Sequence, residues 1–235
     1  MTADTIASRL VAVQARILAA TLAAGRAPES VRLIAVSKRQ GADAIRAAFA
    51  LGQRAFGESY LQEALDKQAL LTDLPIEWHF IGRVQANKTR QLAAGFDWVH
   101  GLADRGHARR LSEHRPADRA PLKVCIQVNL SGEASKGGVV PDAAAELLAA
   151  CAGLPGLRVM GLMTLPAPCA DPRGQREPLR ALRLLRDRLA TTDQPLHCLS
   201  MGMSDDLEAA ILEGATLVRI GTAVFGTRPY NSNNP

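Results

Sequence analysis

Residues 32–41 read RLIAVSKRQG, and the fold expected for the chain depends on how this stretch is interpreted. The run from Leu33 to Ser37 is short and apolar, which is typical of a buried strand, and Lys38 follows where that strand should end. A lysine in this place can extend its ammonium group to water. It can also lie in a pocket, where desolvation lowers its pKa and its amine becomes a nucleophile.

Short apolar runs recur along the chain and alternate with helical patterns. The predicted strands are Val31–Lys38, Arg54–Glu58, Glu77–Gly82, Asp97–Gly101, Leu122–Leu130, Arg158–Leu165, His197–Gly202 and Thr216–Val224. The predicted helices, with apolar residues three or four apart, are Ala42–Leu51, Tyr60–Leu71, Gln85–Ala94, Asp104–Glu113, Pro141–Ala152, Glu177–Ala190 and Asp205–Glu213. An amphipathic helix over Thr5–Ala24 precedes the first strand.

This alternation predicts an α/β fold, a single (β/α)8 TIM barrel with an extra N-terminal helix, over residues 1–235 as one domain. The length of 235 residues is near the roughly 250 typical of that fold. The competing fold is an open doubly wound sheet, which often carries GxGxxG after its first strand, where Lys38 stands here. In a barrel the chemistry belongs at the carboxyl ends of the strands, so Lys38 is expected on that face.

Composition excludes several classes of partner. Lysine and arginine total 28 against 23 acidic residues, but aromatic residues are only 4% and the arginines are dispersed, so a nucleic-acid platform is not expected. No uninterrupted apolar run approaches the roughly 18 residues of a membrane span, so no membrane association is expected. The four cysteines show neither CxxC nor zinc spacing, which indicates reduced thiols in a cytoplasmic protein without a metal site.

Two loops near the end of the chain have the composition of a phosphate site. Strand seven leads into Ser200-Met-Gly-Met-Ser-Asp-Asp206, and strand eight leads into Gly221 and Thr222. Barrels often bind phosphate with these two loops, through glycine backbone N–H groups and hydroxyls. Ser204 could instead be a plain helix N-cap.

An acidic pattern next to Ser204 bears on both of these roles. Asp205 and Glu208 resemble a capping box, which would leave Ser204 available for a ligand. The carboxylates of Asp205 and Asp206 would repel a phosphate unless they face away.

Arg219 is expected inside the barrel. By the period of two, Leu217, Arg219 and Gly221 share one face of the strand, while Val218 and Ile220 share the other. A buried arginine needs an acceptor. Either a carboxylate such as Glu77 or Glu58, or a ring acceptor on a cofactor, would serve.

A strand-end lysine, a phosphate cradle and an inward arginine together suggest pyridoxal 5'-phosphate (PLP). The lysine would form the Schiff base, the loops would hold the phosphate, and Arg219 would meet the pyridine nitrogen.

The chain resembles the pyridoxal phosphate homeostasis protein family, also described as alanine-racemase-N-terminal-domain-like, from about Val31 to Tyr230. The matching stretches are Ala35-Val-Ser-Lys38, Phe56-Gly-Glu-Ser59, Trp78-His-Phe-Ile-Gly82, Asn87-Lys-Thr89, Gln127-Val-Asn129, Gly132-Glu-Ala-Ser-Lys136, Gly161-Leu-Met163, Ser200-Met-Gly-Met-Ser-Asp-Asp206, Val218-Arg-Ile-Gly-Thr222 and Phe225-Gly226. The resemblance implies a fold-type III barrel and a non-enzymatic carrier or regulator of PLP, with Lys38 as the Schiff-base lysine. The expected cofactor-binding residues are Lys38, Ser200, Met203, Ser204, Arg219, Gly221 and Thr222, and no catalytic residue is expected.

Two positions depart from the family pattern. Ser59 stands where the family commonly has Asn, and Arg83 follows Gly82 where it commonly has Pro. These departures are expected to affect only the loops after strands two and three, although Arg83 could add positive charge at the barrel mouth.

Several other polar residues are expected inside the barrel or near the strand ends. His79 is interpreted as a buried barrel histidine rather than a catalytic acid. Lys88 and Lys136 are interpreted as surface charges, with a transient contact to the cofactor aldehyde as the alternative. Glu58 is a candidate partner for either lysine.

The alternative function is a PLP-dependent amino-acid racemase of the same fold type. Racemisation needs a base on each face of the substrate, and alanine racemase supplies its second base from an additional domain that is not expected here. Only Tyr60 and Tyr230 could replace it. We therefore expect a carrier, monomeric and not an enzyme, with PLP-dependent apo-enzymes as possible recipients.

Overall fold

A computed structural model of the chain describes residues 4–132 and 137–226. Eight parallel strands close into a barrel in sequence order. The strands are β1 Arg32–Val36, β2 Ala55–Glu58, β3 Glu77–Phe80, β4 Trp98–Leu102, β5 Leu122–Gln127, β6 Leu157–Met163, β7 Cys198–Ser200 and β8 Leu217–Ile220. The predicted TIM barrel is confirmed.

Helices surround the barrel and join its strands. They are α1 Ile6–Ala23, α2 Ala42–Ala50, α3 Leu61–Leu70, α4 Thr89–Gly95, α5 Arg105–Glu113, α6 Ala144–Cys151, α7 Pro172–Leu189, α8 Leu207–Leu212 and α9 Thr222–Phe225. Three 3-10 turns, Pro28–Ser30, Ala86–Lys88 and Pro141–Ala143, complete the connections.

Alternation along the strands divides the apolar residues into two layers. Ile34, Ala55, Trp98, Cys125, Met163 and Leu217 form a small cluster of strand residues inside the barrel. Val218 and Ile220 belong instead to the large core between barrel and helices. The predicted faces of β8 are therefore confirmed, and Arg219 shares the interior face with Leu217.

Helix α1 packs against the barrel wall. By length and composition alone it would be able to cross a membrane. Here Leu10, Val13 and Ile17 are buried, Arg9 donates to the carbonyl oxygens of Val224 and Phe225 at 3.2 and 3.3 Å, and Arg16 pairs with Glu208 at 2.9 Å. The expected amphipathic N-terminal helix is confirmed.

Most element boundaries differ from the sequence prediction by a few residues, and two of these differences have a clear local cause. The eighth strand ends at Ile220 rather than Val224, because the Gly221 carbonyl oxygen accepts from the amides of Val224 and Phe225 at 2.9 and 3.0 Å and starts helix α9. Helix α7 begins at Pro172 rather than Glu177. Asp171 caps it by accepting from the Gly174 amide at 2.8 Å, and a proline is tolerated in the first turn.

Gly161 offers a test of strand packing in the barrel. A Cβ at this position would overlap the carbonyl oxygen of Cys198 on the neighbouring strand, whereas a Cβ at Gly153 would meet no atom within 4 Å. Gly161→Ala should lower the free energy of unfolding by roughly 1–3 kcal/mol, and Gly153→Ala by less than about 0.5 kcal/mol, in urea denaturation. Equal effects of the two substitutions would contradict this packing.

Candidate functional site

A cavity of about 630 Å³ opens at the carboxyl ends of the strands. Six of the seven residues predicted from the sequence line it: Lys38, Met203, Ser204, Arg219, Gly221 and Thr222. Its other lining residues are Val36, Gln40, Ser59, Ile81, Gly82, Arg83, Gln127, Gly137, Leu165, Asp205 and Gly226. The barrel thus brings residues from both ends of the chain to one site.

Lys38 lies in the loop that follows β1 and is half-buried. The preceding residue continues the sheet, because the Ser37 amide donates to the Gly57 carbonyl oxygen at 3.0 Å. The following residue, Arg39, has a φ of 62°, in the left-handed region that non-glycine residues rarely adopt. Such a conformation persists only where its surroundings hold it in place.

A buried network, which we call the Lys67 cluster, supports the backbone on both sides of Lys38. The Lys67 ammonium group donates to the Ser37 carbonyl oxygen at 2.8 Å, to Glu58 at 2.8 Å and to Glu63 at 2.5 Å. The Ser37 hydroxyl also donates to Glu58, at 2.6 Å. On the other side, the Arg39 amide donates to Glu63 at 2.5 Å. The cluster therefore fixes the residues before and after Lys38.

Charge balance in the Lys67 cluster depends on the ammonium group. Glu58 is fully buried, and burial raises the pKa of its carboxyl group although Lys67 and Ser37 oppose that shift. The expected pairing of Glu58 with Lys88 or Lys136 is wrong for Lys88, because Glu58 faces helix α3 and pairs with Lys67. Lys136 lies outside the described residues. The spacing Glu63 to Lys67, four residues apart on a helix, was the available sequence signal.

The loop after β7 turns sharply into the cavity. Gly202 has a φ of 97°, and a Cβ there would lie 2.6 Å from that of Ala210. The capping box expected at Asp205 is wrong. The N-cap of α8 is Asp206, which makes no capping hydrogen bond because its carboxylate accepts from the Met203 amide at 2.5 Å.

The two acidic residues after Ser204 lie in different surroundings. Asp206 is buried and turned into its own loop by the bond from Met203, whereas Asp205 lines the cavity. Glu208, the other half of the expected capping box, pairs with Arg16 on helix α1.

Arg219 lines the cavity and is held by neutral acceptors. Its guanidinium donates to the Ser200 hydroxyl oxygen at 2.7 Å and to the Thr164 carbonyl oxygen at 2.9 Å. Neither Glu58 nor Glu77 is its partner. Burial lowers the pKa of Arg219 to about 10, which leaves it cationic at neutral pH. Ser200, the seventh predicted residue, does not line the cavity but supports Arg219 from below.

The two departures from the family pattern are closer to the site than expected. Ser59 and Arg83 both line the same cavity as Lys38. Arg83 is exposed and adds a positive charge at the barrel mouth. Gln127, which was not singled out from the sequence, also lines the cavity, and its amide donates to the Gly137 carbonyl oxygen at 2.7 Å.

Comparisons with known proteins place the chain in a family. The model of the alanine racemase N-terminal domain matches residues 11–229. A pyridoxal phosphate homeostasis protein of Pseudomonas aeruginosa is 55% identical over 97% of this chain and 98% of its own length. The chain belongs to the pyridoxal phosphate homeostasis protein family. A protein of the same name from Escherichia coli is 47% identical over 96% of the chain and 98% of its own length.

Solved structures agree with this family. PipY of Synechococcus elongatus, whose structure has PLP bound, is 36% identical, with a TM-score of 0.81 over 94% of this chain and all of that one. Alanine racemase of Corynebacterium glutamicum is 21% identical, with a TM-score of 0.65 over 96% of this chain and 63% of that one. The second likeness shows a shared fold only.

His79 is a buried barrel histidine, as predicted. Its ring stacks on Trp98 with centroids 5.3 Å apart, and its Nδ1 lies 2.9 Å from Nε2 of His100. His100 was missed in the sequence, although it alternates with Trp98 and so shares the interior face. Tyr60, the candidate second base, does not line the cavity, and Tyr230 lies outside the described residues.

Removal of the buried ammonium group tests the Lys67 cluster. Lys67→Met should lower the free energy of unfolding by roughly 3–5 kcal/mol, because it leaves Glu58 buried without its cation. The double variant Lys67→Met/Glu58→Met should be less destabilised than Lys67→Met alone. Arg46→Met, which breaks the exposed pair with Asp73, should change stability little. A double variant that is destabilised as much as Lys67→Met would contradict this account, and urea denaturation measures the parent and the three variants.

Proposed function

We propose that the chain binds PLP as a Schiff base on Lys38 and holds the cofactor for other proteins without using it in catalysis. The observation that supports this most directly is that Lys38, Ser204, Thr222 and Arg219 line one cavity. The name of its relatives and the PLP bound to PipY support the same cofactor.

The chemistry of the cavity fits PLP. A volume of about 630 Å³ lies within the roughly 300–1,000 Å³ of small-molecule sites. Hydroxyls of Ser204 and Thr222 and the backbone at Gly221 would hold the phosphate, and the Lys38 amine would meet the aldehyde. Arg219 would donate to the ring nitrogen.

The covalent link needs no further reactant. The Lys38 nitrogen forms a C=N bond with the aldehyde carbon, the C=O bond breaks, and the carbonyl oxygen leaves as water with both amine protons. Bound PLP supplies an electron sink in enzymes that use it. Here the Lys67 cluster would hold the amine in position by fixing Ser37 and Arg39.

Arg219 supports a role without catalysis. As a cation it cannot give the ring nitrogen a negative partner, and its guanidinium does not protonate a pyridine nitrogen. A neutral ring is a weak electron sink, so the cofactor would be retained unchanged. A racemase would also need a second base on the opposite face of the substrate.

The remaining parts of the proposal concern the whole protein. We infer that it acts in the cytoplasm as a monomer of one domain and passes PLP to PLP-dependent apo-enzymes. The pyridoxal phosphate homeostasis proteins that match this chain at 42–55% identity support the part of the proposal that concerns PLP.

Lys38→Ala tests the covalent link. The variant should fold normally but lose the visible absorbance of the Schiff base and the adduct that borohydride reduces, because the imine nitrogen is gone. Lys88→Ala, which changes a lysine outside the cavity lining, should behave as the parent. A full adduct on the Lys38→Ala protein would move the assignment to another lysine.

Ser204→Ala and Thr222→Ala test the phosphate site. Each removes a hydrogen bond to a charged group, worth roughly 1.5–3 kcal/mol, so the Kd for PLP should rise about tenfold or more. Binding of pyridoxal, which lacks the phosphate, should change little. Thr192→Ala, an exposed hydroxyl outside the cavity lining, is the control. Equal losses for both ligands in a titration followed by absorbance would refute the contact.

Loaded protein incubated with a panel of L-amino acids distinguishes a carrier from a racemase. We expect no loss of optical rotation, because Tyr60 does not line the cavity and so supplies no second base there, while alanine racemase serves as the positive control. Racemisation of any amino acid that disappears in Lys38→Ala would establish the enzyme instead.

A further inference from the structure

Polar side chains form a continuous chain through the barrel interior below the cavity. Arg219 donates to the Ser200 hydroxyl at 2.7 Å, and that hydroxyl lies 2.8 Å from Nδ1 of His100. Nε2 of His100 lies 2.9 Å from Nδ1 of His79. The last imidazole nitrogen, Nε2 of His79, lies 3.8 Å from a Glu77 carboxylate oxygen. We call these residues the barrel relay; nothing in the proposed cofactor contacts uses its two histidines.

The barrel relay is shielded from water along its length. His79, His100 and Ser200 are fully buried, and Arg219 is 3% exposed. Burial lowers the pKa of both imidazoles, and for His100 the neighbouring His79 and Arg219 lower it further. Both rings are therefore neutral at neutral pH, and each carries one proton and one acceptor nitrogen.

The upper end of the relay decides which nitrogen carries that proton. Arg219 can only donate, so the Ser200 oxygen accepts from it. Among the described residues, His100 is the other partner of the Ser200 hydroxyl. If His100 also donated to Ser200, the hydroxyl proton would be buried without an acceptor, which is costly. The hydroxyl therefore donates to Nδ1 of His100, and that ring carries its proton on Nε2.

The lower end of the relay requires the same order. With its proton on Nε2, His100 donates to Nδ1 of His79, so His79 also carries its proton on Nε2. His79 Nε2 makes no hydrogen bond with a described residue, but it lies 3.8 Å from the carboxylate of Glu77, which accepts from the Trp98 indole at 2.5 Å and pairs with Arg32. In the reverse order, a lone pair of His79 would face the carboxylate. Every donor in the relay thus points away from the guanidinium cation and towards an anion.

We propose that His100, oriented by His79, is a positioning residue for Arg219. By accepting the Ser200 proton, His100 leaves the Ser200 oxygen to Arg219 alone. Together with the Thr164 carbonyl oxygen, this bond fixes the plane of the guanidinium, and Arg219 presents its remaining N–H groups to the cavity. The inference rests on the proposed contact between Arg219 and the ring nitrogen of PLP.

Binding of two ligands separates this inference from the proposed function. The first ligand is PLP, and the second is a phosphorylated benzaldehyde analogue in which C–H replaces the pyridine nitrogen. The parent should bind PLP about tenfold more tightly than the analogue, because only PLP accepts from Arg219. In His100→Leu this preference should fall to about onefold. The Ser200 hydroxyl then has no acceptor for its proton, so it rotates and no longer holds the Arg219 guanidinium in place.

Matched variants distinguish loss of the acceptor from loss of packing. His100→Asn places a carbonyl oxygen near the position of Nδ1 and should restore most of the preference. His197→Leu, which replaces an exposed histidine just before β7, should keep the preference fully. A parent that prefers PLP together with a His100→Leu protein that retains the preference would overturn the inference and leave the proposed function intact. A parent that binds both ligands equally would refute the ring contact and the inference with it.

Nitrogen-15 NMR of the unsubstituted protein without ligand gives a test that needs no variant. His79 and His100 should both appear as neutral rings protonated on Nε2, with a hydrogen-bonded acceptor at Nδ1. A proton on Nδ1 of His100 would overturn the inference, even if His100→Leu failed to fold.

Discussion

Parallel pairing of β1 with β8 is the constraint on which the site depends. Ile34 pairs with Arg219 and Ala35 with Ile220, so the first and last strands of the barrel lie in register. The loop that carries Lys38 therefore lies beside the turn at Gly221 and Thr222, although about 180 residues separate them in the chain. Closure also buries the interior faces of both strands. A charged side chain that becomes buried in this way needs hydrogen-bond or ion-pair partners.

Two buried cations, Lys67 and Arg219, have partners of different kinds. Lys67 is compensated by two carboxylates, and the resulting network stabilises the unusual backbone next to Lys38. Arg219 has no carboxylate within hydrogen-bond distance among its described contacts and relies on a hydroxyl and a carbonyl oxygen. A guanidinium held in this way keeps more of its positive field for a ligand in the cavity, because its hydrogen-bond partners carry no charge.

Polar groups inside the barrel are arranged along its axis rather than scattered. The cavity occupies the carboxyl ends of the strands, the barrel relay lies below it, and Glu77 is placed near the opposite end with Arg32 and Lys123 around it. The apolar cluster of Ile34, Ala55 and Leu217 fills the remaining interior. In a small barrel filled by side chains, such an arrangement lets buried polar groups meet one another instead of an apolar wall.

Local sequence determined the elements and much of the candidate site. Alternation placed Arg219 on the interior face, the strand-end position of Lys38 placed it at the functional end, and glycines and hydroxyls marked the loops after β7 and β8. Those inferences succeed because strand periodicity and barrel polarity leave few choices once the order of elements is known. The hydropathy pattern predicted the wrong element where local signals compete. Thr222–Phe225 has a β-type composition, yet it forms a helix because its amides donate to the Gly221 carbonyl oxygen.

Only the tertiary structure decided the partners. Glu58 pairs with Lys67 and not with Lys88. Asp206 is the N-cap residue in place of Asp205, and its carboxylate accepts from the Met203 amide. Arg219 donates to Ser200 and Thr164 and not to a carboxylate. His100 contacts Ser200 from a strand in which no motif marked it. A sequence states which groups can donate and accept. Which pairs form depends on distances of less than about 3.5 Å between segments far apart in the chain, and those distances exist only once the barrel has closed.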